Sequence, residues 1–459
     1  MITQVRRLSY LLFLQLIFLT SLTSQAQAQE NPDLPDYVIA QFGSPPPIPQ
    51  GDLSKKTKKA LDTVVADNID QEGWSASDTK AIDQLAASKD PRLGWIIIDM
   101  MRFTWRPELR AALSDLAVTL LDVDLQSIRH RAEFSDHLIA WDMPAYPGYL
   151  AHKRAIFTNF NEGWDRIFVE GDIDWQLVAW GGVDIDARPY DTTDDFCNCI
   201  PAADNPKVET VKEATWLKDD DIVFGIGING EYRAYPRRTM EIREMVNDTL
   251  GGRDLGIPYC TLCGAAQAYF TDDVPDGIDR PVLRTSGLLI RSNKVMYDVG
   301  TYSVFDTFLG KAVTGPLAKA GVQLKQASVV TTTWGEWKAA HPETTVLIEE
   351  LSFGRDFDLR NTRDKDGPIF PVGDVDPRLP VHEDVIGVIT ASGQPVAFQR
   401  TRALVALKNE QKIEVENVQL KLEGGGIRAV DADGSDLGSH QAFWFAWSQF
   451  HPDTTLWGE

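Results

Sequence analysis

Apolar residues in the first third of the chain recur at helical intervals. This spacing predicts a helix over 79–88, a break at Lys89-Asp90-Pro91-Arg92, a second helix over 93–103 and a third over 107–121. The third helix has its proline in the first turn, where proline is well tolerated. Helical pairs separated by an Asp-Pro turn are typical of a HEAT-type unit, and an ordinary helical domain fits the same pattern.

The pattern changes near residue 179 to short apolar runs separated by turn residues. Ile222–Ile228 reads as a strand, Asn229-Gly230 is the strongest short hairpin signal, and Tyr232–Tyr235 reads as the return strand. Helical spacing then covers 239–246, followed by further strand patterns to about residue 330. This part of the chain is therefore predicted to be rich in antiparallel strands with short helices.

Two stretches of the β-rich part resemble each other. Residues 334–345 resemble 444–455 at an offset of 110, and the hairpin 228–235 resembles 391–398 at an offset of 163. The second copy is therefore shorter by 53 residues, and what it lacks includes the equivalent of a Cys-x-x-Cys segment. Both copies retain Trp and His-Pro, which we interpret as packing residues, because packing is what a scaffold copy must keep.

These patterns predict an α+β fold in which a helical N-terminal domain precedes a duplicated, mainly antiparallel β-rich domain. The first residues add a targeting signal and a Pro-rich linker. The predicted segments are a signal peptide (1–28), a linker (29–51), a HEAT-like helical domain (52–178), the first copy of the repeated unit with the Cys-x-x-Cys motif (179–350) and a shortened second copy (351–459).

The first 28 residues have the three parts of a secretory signal peptide. Arg6-Arg7 precede an apolar run over 8–22, and Ala26-Gln27-Ala28 provides a cleavage site. The apolar run is short for a spanning helix. We therefore expect a periplasmic or secreted protein with no stable membrane span after cleavage.

The charge balance excludes one class of partner. The 459 residues include 45 Lys and Arg against 67 Asp and Glu, a formal net charge of −22. A chain this acidic repels phosphate backbones, so nucleic-acid binding is not expected. This charge does not exclude a protein partner that docks on the helical domain.

The four cysteines, Cys197, Cys199, Cys260 and Cys263, lie within one third of the chain. The Cys-x-x-Cys pair suits a redox dithiol, half of a thiolate site for Zn or Cu, or a structural knuckle. A bridge between Cys197 and Cys199 would be strained, so we predict that these two join Cys260 and Cys263, either in two disulfides or in one four-thiolate metal site. Candidate neighbours of the thiols are Arg243, Asn247, Asp248, Ser292 and Asn293.

Several separated motifs occur in the order of a known family: Trp216-Leu217-Lys218-Asp219-Asp220-Asp221, Val246-Asn247-Asp248-Thr249, Tyr259-Cys260-Thr261-Leu262-Cys263-Gly264, Ser286-Gly287-Leu288 and Ser292-Asn293-Lys294-Val295-Met296-Tyr297-Asp298. Over about residues 180–457 the chain resembles the domain of unknown function 3179 family, and the resemblance implies no established activity. Many members have Trp-His-Glu where this chain has Ile242-Arg243-Glu244. A mechanism that needs that histidine would not apply here.

Three functions fit these observations. The leading hypothesis is a soft metal ion bound by thiolates of Cys260 and Cys263 in an extracytoplasmic protein. The second is a disulfide-stabilised scaffold or interaction protein, and the third is a thiol-dependent oxidoreductase or lyase. The sequence leaves open which of them holds and whether the protein is an enzyme.

Overall fold

The computed structural model describes residues 33–71, 73–124, 130–192, 197–348 and 367–458. Seven α-helices come first in these ranges, and short strands interleaved with five short helices follow. The predicted fold class is confirmed at this level. The predicted signal peptide lies outside the described residues, and within them no helix has both the length and the apolar character needed to cross a membrane.

The helical part begins earlier than predicted, because the segment assigned to an extended linker contains a short helix. The helices are α1 (Asp36–Phe42), α2 (Lys55–Asp70), α3 (Ala76–Ala86), α4 (Gly94–Phe103), α5 (Pro107–Leu121), α6 (His130–Ala140) and α7 (Tyr149–Phe160).

Local signals explain where these helices start. Ser75 and Asp78 form a reciprocal capping box at the start of α3. Asp90 accepts the backbone N–H of Arg92 and begins the short 3-10 turn that leads into α4. The predicted break and the predicted proline start of α5 are thus confirmed.

The helices share a hydrophobic core with the first sheet of the β-rich part. Trp95 and Trp164 belong to the same buried cluster as Val295 and Tyr297. The indole N–H of Trp164 donates to the carbonyl of Ser286 at 2.8 Å. The two parts therefore bury apolar surface against each other.

The strands form five sheets, and their spatial orders are as follows. The first contains β1 (Val178–Trp180), β10 (Leu283–Ile290), β11 (Asn293–Asp298), β12 (Val304–Asp306) and β13 (Lys311–Ala312). The second contains β14 (Gln326–Ala327), β9 (Ala268–Phe270), β7 (Arg253–Cys260), β6 (Met245–Leu250) and β2 (Ala203–Asp204), with β8 (Ala265–Ala266) paired to β7.

The third sheet contains β15 (Val330–Thr333), β4 (Ile222–Ile228), β5 (Glu231–Pro236), β16 (Thr345–Leu347) and β3 (Val208–Thr210). The fourth contains β22 (His440–Phe443), β17 (Asp384–Ile389), β18 (Pro395–Gln399) and β23 (Thr455–Leu456), and the fifth contains β19 (Glu414–Val415), β20 (Val418–Glu423) and β21 (Gly426–Val430). Short helices join them: α8 (Arg237–Arg243), α9 (Gly315–Lys319), α10 (Trp334–Ala340), α11 (Arg400–Lys408) and α12 (Trp444–Phe450).

Two of these sheets have the same topology. The third runs β15-β4-β5-β16 and the fourth runs β22-β17-β18-β23, each with two antiparallel pairs followed by one parallel pair. Helix α10 follows β15, and α12 follows β22 in the same way. The two stretches that resemble each other in sequence thus occupy equivalent places.

Each of these two sheets packs a tryptophan onto a glycine. A Cβ added to Gly225 would lie 2.4 Å from the Trp337 ring, and one added to Gly387 would lie 2.1 Å from the Trp447 ring. The indole N–H groups donate to the hydroxyls of Thr344 and Thr454. The glycines therefore make room for the rings.

A histidine follows the end of each of these two helices and packs on the tryptophan of that helix. His341 lies 4.3 Å from the Trp337 ring, and His451 lies 4.2 Å from the Trp447 ring, measured between ring centroids. Burial lowers the pKa of His451 to about 4, so its ring is neutral at physiological pH. The packing interpretation accounts for both residues.

One predicted helix is too long. Helical spacing indicated 239–246, but α8 ends at Arg243, and Glu244 adopts a left-handed conformation with φ 49°. Val246 is buried in β6, opposite Ile257. Its apolar side chain fits a core strand as well as a helix face, and the hairpin with β7 decides between them.

We expect Gly387→Ala to destabilise the protein by about 1–3 kcal/mol, because its methyl group would overlap the Trp447 ring. Urea denaturation measures the loss. Gly73→Ala is the control, since a Cβ there has no described atom within 4 Å, and it should change stability by less than about 0.5 kcal/mol. Equal losses in both variants would contradict the packing argument.

Candidate functional site

The Cys-x-x-Cys motif forms a tight turn at the end of β7. The backbone N–H of Cys263 donates to the carbonyl of Cys260 at 3.3 Å, and Cys260 pairs with Ala265 as the chain returns. Gly264 has φ +60°, and a Cβ there would lie 3.0 Å from the Phe443 ring. The turn therefore needs glycine both for its conformation and for space.

Both cysteines of this turn are free thiols buried in the interior. Cys260 is 4% exposed and Cys263 is 0% exposed. Each Sγ lies 3.5 Å from the carbonyl oxygen of Ser292, which can accept the S–H of either thiol. One backbone acceptor thus holds the two sulfurs next to each other.

An unusual hairpin turn presents that carbonyl. Ile290 pairs with Asn293 across the two-residue loop Arg291-Ser292, and both loop residues have positive φ, 45° and 67°. Such turns favour Asn-Gly, because other side chains are strained there. The Ser292 hydroxyl donates to the Phe370 carbonyl at 3.1 Å, which helps to hold the turn.

A buried ammonium lies beside the thiols. Lys294 Nζ donates to the Glu244 carbonyl at 2.6 Å, to Glu244 Oε2 at 2.8 Å and to the Tyr259 carbonyl at 2.7 Å. The left-handed conformation of Glu244 turns its carbonyl and its carboxylate to the same cation. All three ammonium hydrogens are satisfied, so the charge is stably held within the interior.

The two thiols differ in acidity. Burial raises the pKa of the Cys260 thiol, but the hydrogen bond from Cys263 and the positive charge of Lys294 outweigh it, and the pKa lies below its ordinary value. Burial and the hydrogen bond to Cys260 raise the pKa of Cys263 well above its ordinary value. Cys260 is therefore the sulfur that ionises first.

The two thiols also differ in access. The residues that line a cavity of about 200 Å³ include Cys260, Lys294, Glu244, Ile369 and Phe370. Cys263 does not line it and packs in the hydrophobic cluster around Phe443. A small molecule in the cavity would meet Cys260 first.

The predicted pairing of the other two cysteines is wrong. Cys197 and Cys199 form a disulfide with each other, with their Cα atoms 5.1 Å apart. The loop allows this short bridge, which we expected to be strained. Neither cross-bridges to Cys260 and Cys263 nor a four-thiolate metal site exists in this structure.

Asn247 and Asp248 lie away from the thiols. Asp248 pairs with Leu255 across the hairpin, five residues before Cys260, and accepts from Arg233 and from the Tyr235 hydroxyl at 2.7 Å. Asn247 exchanges two hydrogen bonds with the backbone of Leu283. Asn247 therefore connects the second sheet to the first, and Asp248 connects the second sheet to the third.

The remaining candidate neighbours flank the site. Arg243 precedes Glu244 and donates to the Pro201 carbonyl at 3.4 Å. Asn293 follows Ser292 and is fully buried, and neither polar atom of its amide has a hydrogen-bond partner in the described part of the chain. Ser292 is the one candidate that hydrogen-bonds to both thiols.

Sequence reasoning missed the charged pair Lys294–Glu244, although both residues lie in the segments that carry the family resemblance. Lysine in a strand and glutamate after a helix usually face solvent, so their sequence positions did not indicate a buried pair. The sequence contains only the spacing of these two residues from the other motifs, and that spacing does not show that they lie beside Cys260.

The described residues contain no cluster of three or more His, Cys, Asp or Glu side chains able to hold a metal ion. A structural zinc site takes four such ligands. Cys260 and Cys263 could supply two thiolates, which suits a soft ion of low coordination number.

The comparisons add a family and no activity. The model of a family described as "Protein of unknown function (DUF3179)" matches residues 197–454, more than half of the chain. No curated protein and no solved structure matches it. The match includes the Cys-x-x-Cys turn, the Ser292 hairpin and Lys294.

Two substitutions should move the acidity of Cys260 in opposite directions. Lys294→Met removes a charge that lowers the Cys260 pKa, so the midpoint of its alkylation by iodoacetamide should move to higher pH. Glu244→Gln removes a charge that raises the pKa, so that midpoint should move to lower pH.

Peptide mass spectrometry after timed alkylation measures both profiles. Lys311→Met is the control, because Lys311 forms an exposed pair with Asp172 remote from the thiols, and it should leave the midpoint unchanged. Shifts of the same sign in the Lys294 and Glu244 variants would contradict the electrostatic account.

Proposed function

The chain belongs to the DUF3179 family, and on that premise we propose that this member is an extracytoplasmic thiol–disulfide oxidoreductase centred on Cys260 and Cys263. The observation that carries the proposal is the difference between the two thiols. Cys260 faces a cavity and has the lowered pKa, whereas Cys263 is enclosed and has the raised pKa. Dithiol enzymes require this division between an attacking and a resolving sulfur.

The chemistry needs two exchange steps. The Cys260 thiolate attacks one sulfur of a substrate disulfide, forms a mixed disulfide and releases the other substrate sulfur as a thiolate. Cys263 then loses its proton and attacks Cys260 Sγ, which releases the second substrate thiolate and leaves a Cys260–Cys263 disulfide. Two electrons pass from the protein to the substrate, and the released thiolates take up the protons.

The surroundings of Cys260 favour the first step. The Lys294 ammonium stabilises the thiolate, and the hydrogen bond from Cys263 does the same. Lys294 is itself anchored to Glu244, so it stays in place while the sulfur changes charge. The lining of the cavity is mostly apolar, which lowers the local dielectric constant and strengthens these interactions.

The location is part of the proposal. The N-terminal signal pattern and the Cys197–Cys199 disulfide both support an oxidising compartment, periplasmic or extracellular. Cleavage after Ala28 would make Gln29 the first residue of the exported protein, and the mass of its N-terminal peptide would test this. An uncleaved N-terminus on exported protein would count against this location.

Soft metal binding is a second candidate, and the shared carbonyl of Ser292 favours it. The two sulfurs lie side by side, and deprotonating both would create a two-thiolate pocket whose negative charge Lys294 partly offsets. Such a pocket suits Cu⁺ better than Zn²⁺ because no further ligand cluster is available in the described residues. Cys197 and Cys199 would take no part.

We also propose that the third and fourth sheets descend from one duplicated unit. The shared strand order, the paired Gly and Trp contacts and the two sequence matches support this origin. The first copy carries the thiol turn between α8 and β15, whereas the second has only the fifth sheet between α11 and β22. An alignment by structure that placed Trp337 and Trp447 out of register would overturn it.

The redox proposal predicts distinct results for the two cysteines. Cys260→Ser should abolish reduction of 2-hydroxyethyl disulfide, because the nucleophile is missing. Cys263→Ser should react once and stop as a mixed disulfide on Cys260. Intact-mass spectrometry checks both, and a mixed disulfide on Cys263 in the Cys260→Ser variant would reverse the assigned roles.

The metal candidate predicts one Cu⁺ per chain in an anaerobic titration against a chromogenic copper chelator. Cys260→Ser and Cys263→Ser should each abolish binding, because one thiolate does not hold the ion against the chelator. Cys197→Ser with Cys199→Ser is the matched control and should bind normally. Equal copper binding by all variants would exclude the thiol pair as the site.

A further inference from the structure

A second, smaller pocket borders the turn at Arg291-Ser292. It has a volume of about 40 Å³, and its lining includes residues of α4, α6, β1 and β10 together with Phe370. Within this lining Trp95 and Asp99 are buried, whereas Trp180 is half-buried. The pocket therefore reaches from the interior toward the surface, where the helical part meets the first sheet.

Three arginines line this pocket, Arg102, Arg131 and Arg291, although the chain as a whole carries a formal net charge of −22. Asp99 is the acidic residue among the described members of the lining. Its carboxylate already accepts from Lys153 Nζ at 3.0 and 3.1 Å, and this pair has no net charge. The pocket therefore concentrates positive charge within an acidic protein.

Arg102 forms no ion pair with any carboxylate that the structure describes. Its guanidinium carbon lies 4.4 Å from the centroid of the Trp180 ring, and Nη2 donates to the Trp180 carbonyl at 3.4 Å. Nε is buried and has no hydrogen-bond partner in the described ranges. Burial lowers the pKa of Arg102, and the charge of Arg110 lowers it further. An anion next to this guanidinium would give Nε a partner and stabilise the charge.

Arg291 is half-buried and forms neither a hydrogen bond nor an ion pair within the described part of the chain. Other arginines with little exposure have carboxylate partners, since Arg284 pairs with Asp204 and Arg188 pairs with Asp186. Arg102 and Arg291 thus line one pocket without the counter-charge that comparable arginines of this protein have.

We propose that this pocket binds the carboxylate group of a small-molecule ligand, with Arg102 and Arg291 as the residues that contact it and Arg131 as a further positive charge. The guanidinium fork matches the two oxygens of a carboxylate, which gives short and strong hydrogen bonds. Apolar side chains of the lining, Trp95 among them, lower the local dielectric constant and strengthen the interaction. The inference goes beyond the oxidoreductase function and does not depend on it.

The size of the pocket favours a carboxylate over a tetrahedral oxyanion. One water molecule needs a cavity of about 10–15 Å³, so a volume of about 40 Å³ has room for about three atoms of that size. A carboxylate group has three heavy atoms, whereas phosphate and sulfate each have five. A carboxylate therefore fits the pocket better than either of the larger anions.

Acetate is the probe, and its binding to the full-length protein is measured as the rise in melting temperature when it replaces chloride at constant ionic strength. A ligand that binds only the folded protein raises the melting temperature as its concentration increases. Acetamide has the same shape without the charge and should have no effect. Sulfate should have a smaller effect than acetate.

Arg291→Met tests the site with little risk to the fold, because Arg291 forms no hydrogen bond or ion pair with the described residues. We expect its dissociation constant for acetate to rise about tenfold or more, since a charged partner is removed. Arg102→Met should act in the same direction. Arg154→Met is the matched control, because Arg154 forms an exposed pair with Asp165, and it should bind acetate as the wild type does.

An unchanged melting temperature in acetate, or an equal rise in acetamide, would overturn the proposal. Equal dissociation constants for acetate in Arg291→Met and in the wild type would also overturn it. A stronger effect of sulfate that Arg291→Met abolishes would overturn the carboxylate assignment in favour of a tetrahedral oxyanion. Cys260→Ser should bind acetate normally, so failure here and failure of the thiol chemistry are separate results.

Discussion

The buried ammonium of Lys294 ties together the elements on which the thiol site depends. Its three hydrogen bonds reach Glu244, the residue that follows α8, and Tyr259 near the end of strand β7, while its own backbone belongs to β11. Removing one partner of such a buried pair costs about 3–5 kcal/mol, because the other charge stays in the interior. The same cation lowers the pKa of Cys260, so one interaction both holds the fold locally and sets the chemistry.

The equivalent sheets show how the chain separates support from chemistry. Both keep a tryptophan seated on a glycine and bonded to a threonine, contacts that stabilise a sheet and its helix. The thiol turn packs against the fourth sheet, since the Phe443 N–H donates to the Cys263 carbonyl at 2.8 Å. The fourth sheet thus helps to enclose Cys263.

Much of the fold and part of the site followed from local pattern. The Asn229-Gly230 hairpin and the proline start of α5 each rest on conformations that few residues adopt, so they were predictable. The end of α8 was not, because Val246 suits a helix face and a core strand equally. The turn at Arg291-Ser292 was not predictable either, because it lacks the residues that usually adopt positive φ.

The sequence by itself determined the family, the order of helical and β-rich parts, the repeated stretches and the importance of Cys260 and Cys263. These properties depend on residue identity and short spacing. Only the tertiary structure decided that Cys197 bonds to Cys199, that Asp248 faces Arg233, and that Lys294 lies beside Cys260. Those contacts join segments far apart in the chain or depend on a loop's backbone path, and spacing along the sequence does not encode which buried charge meets which sulfur.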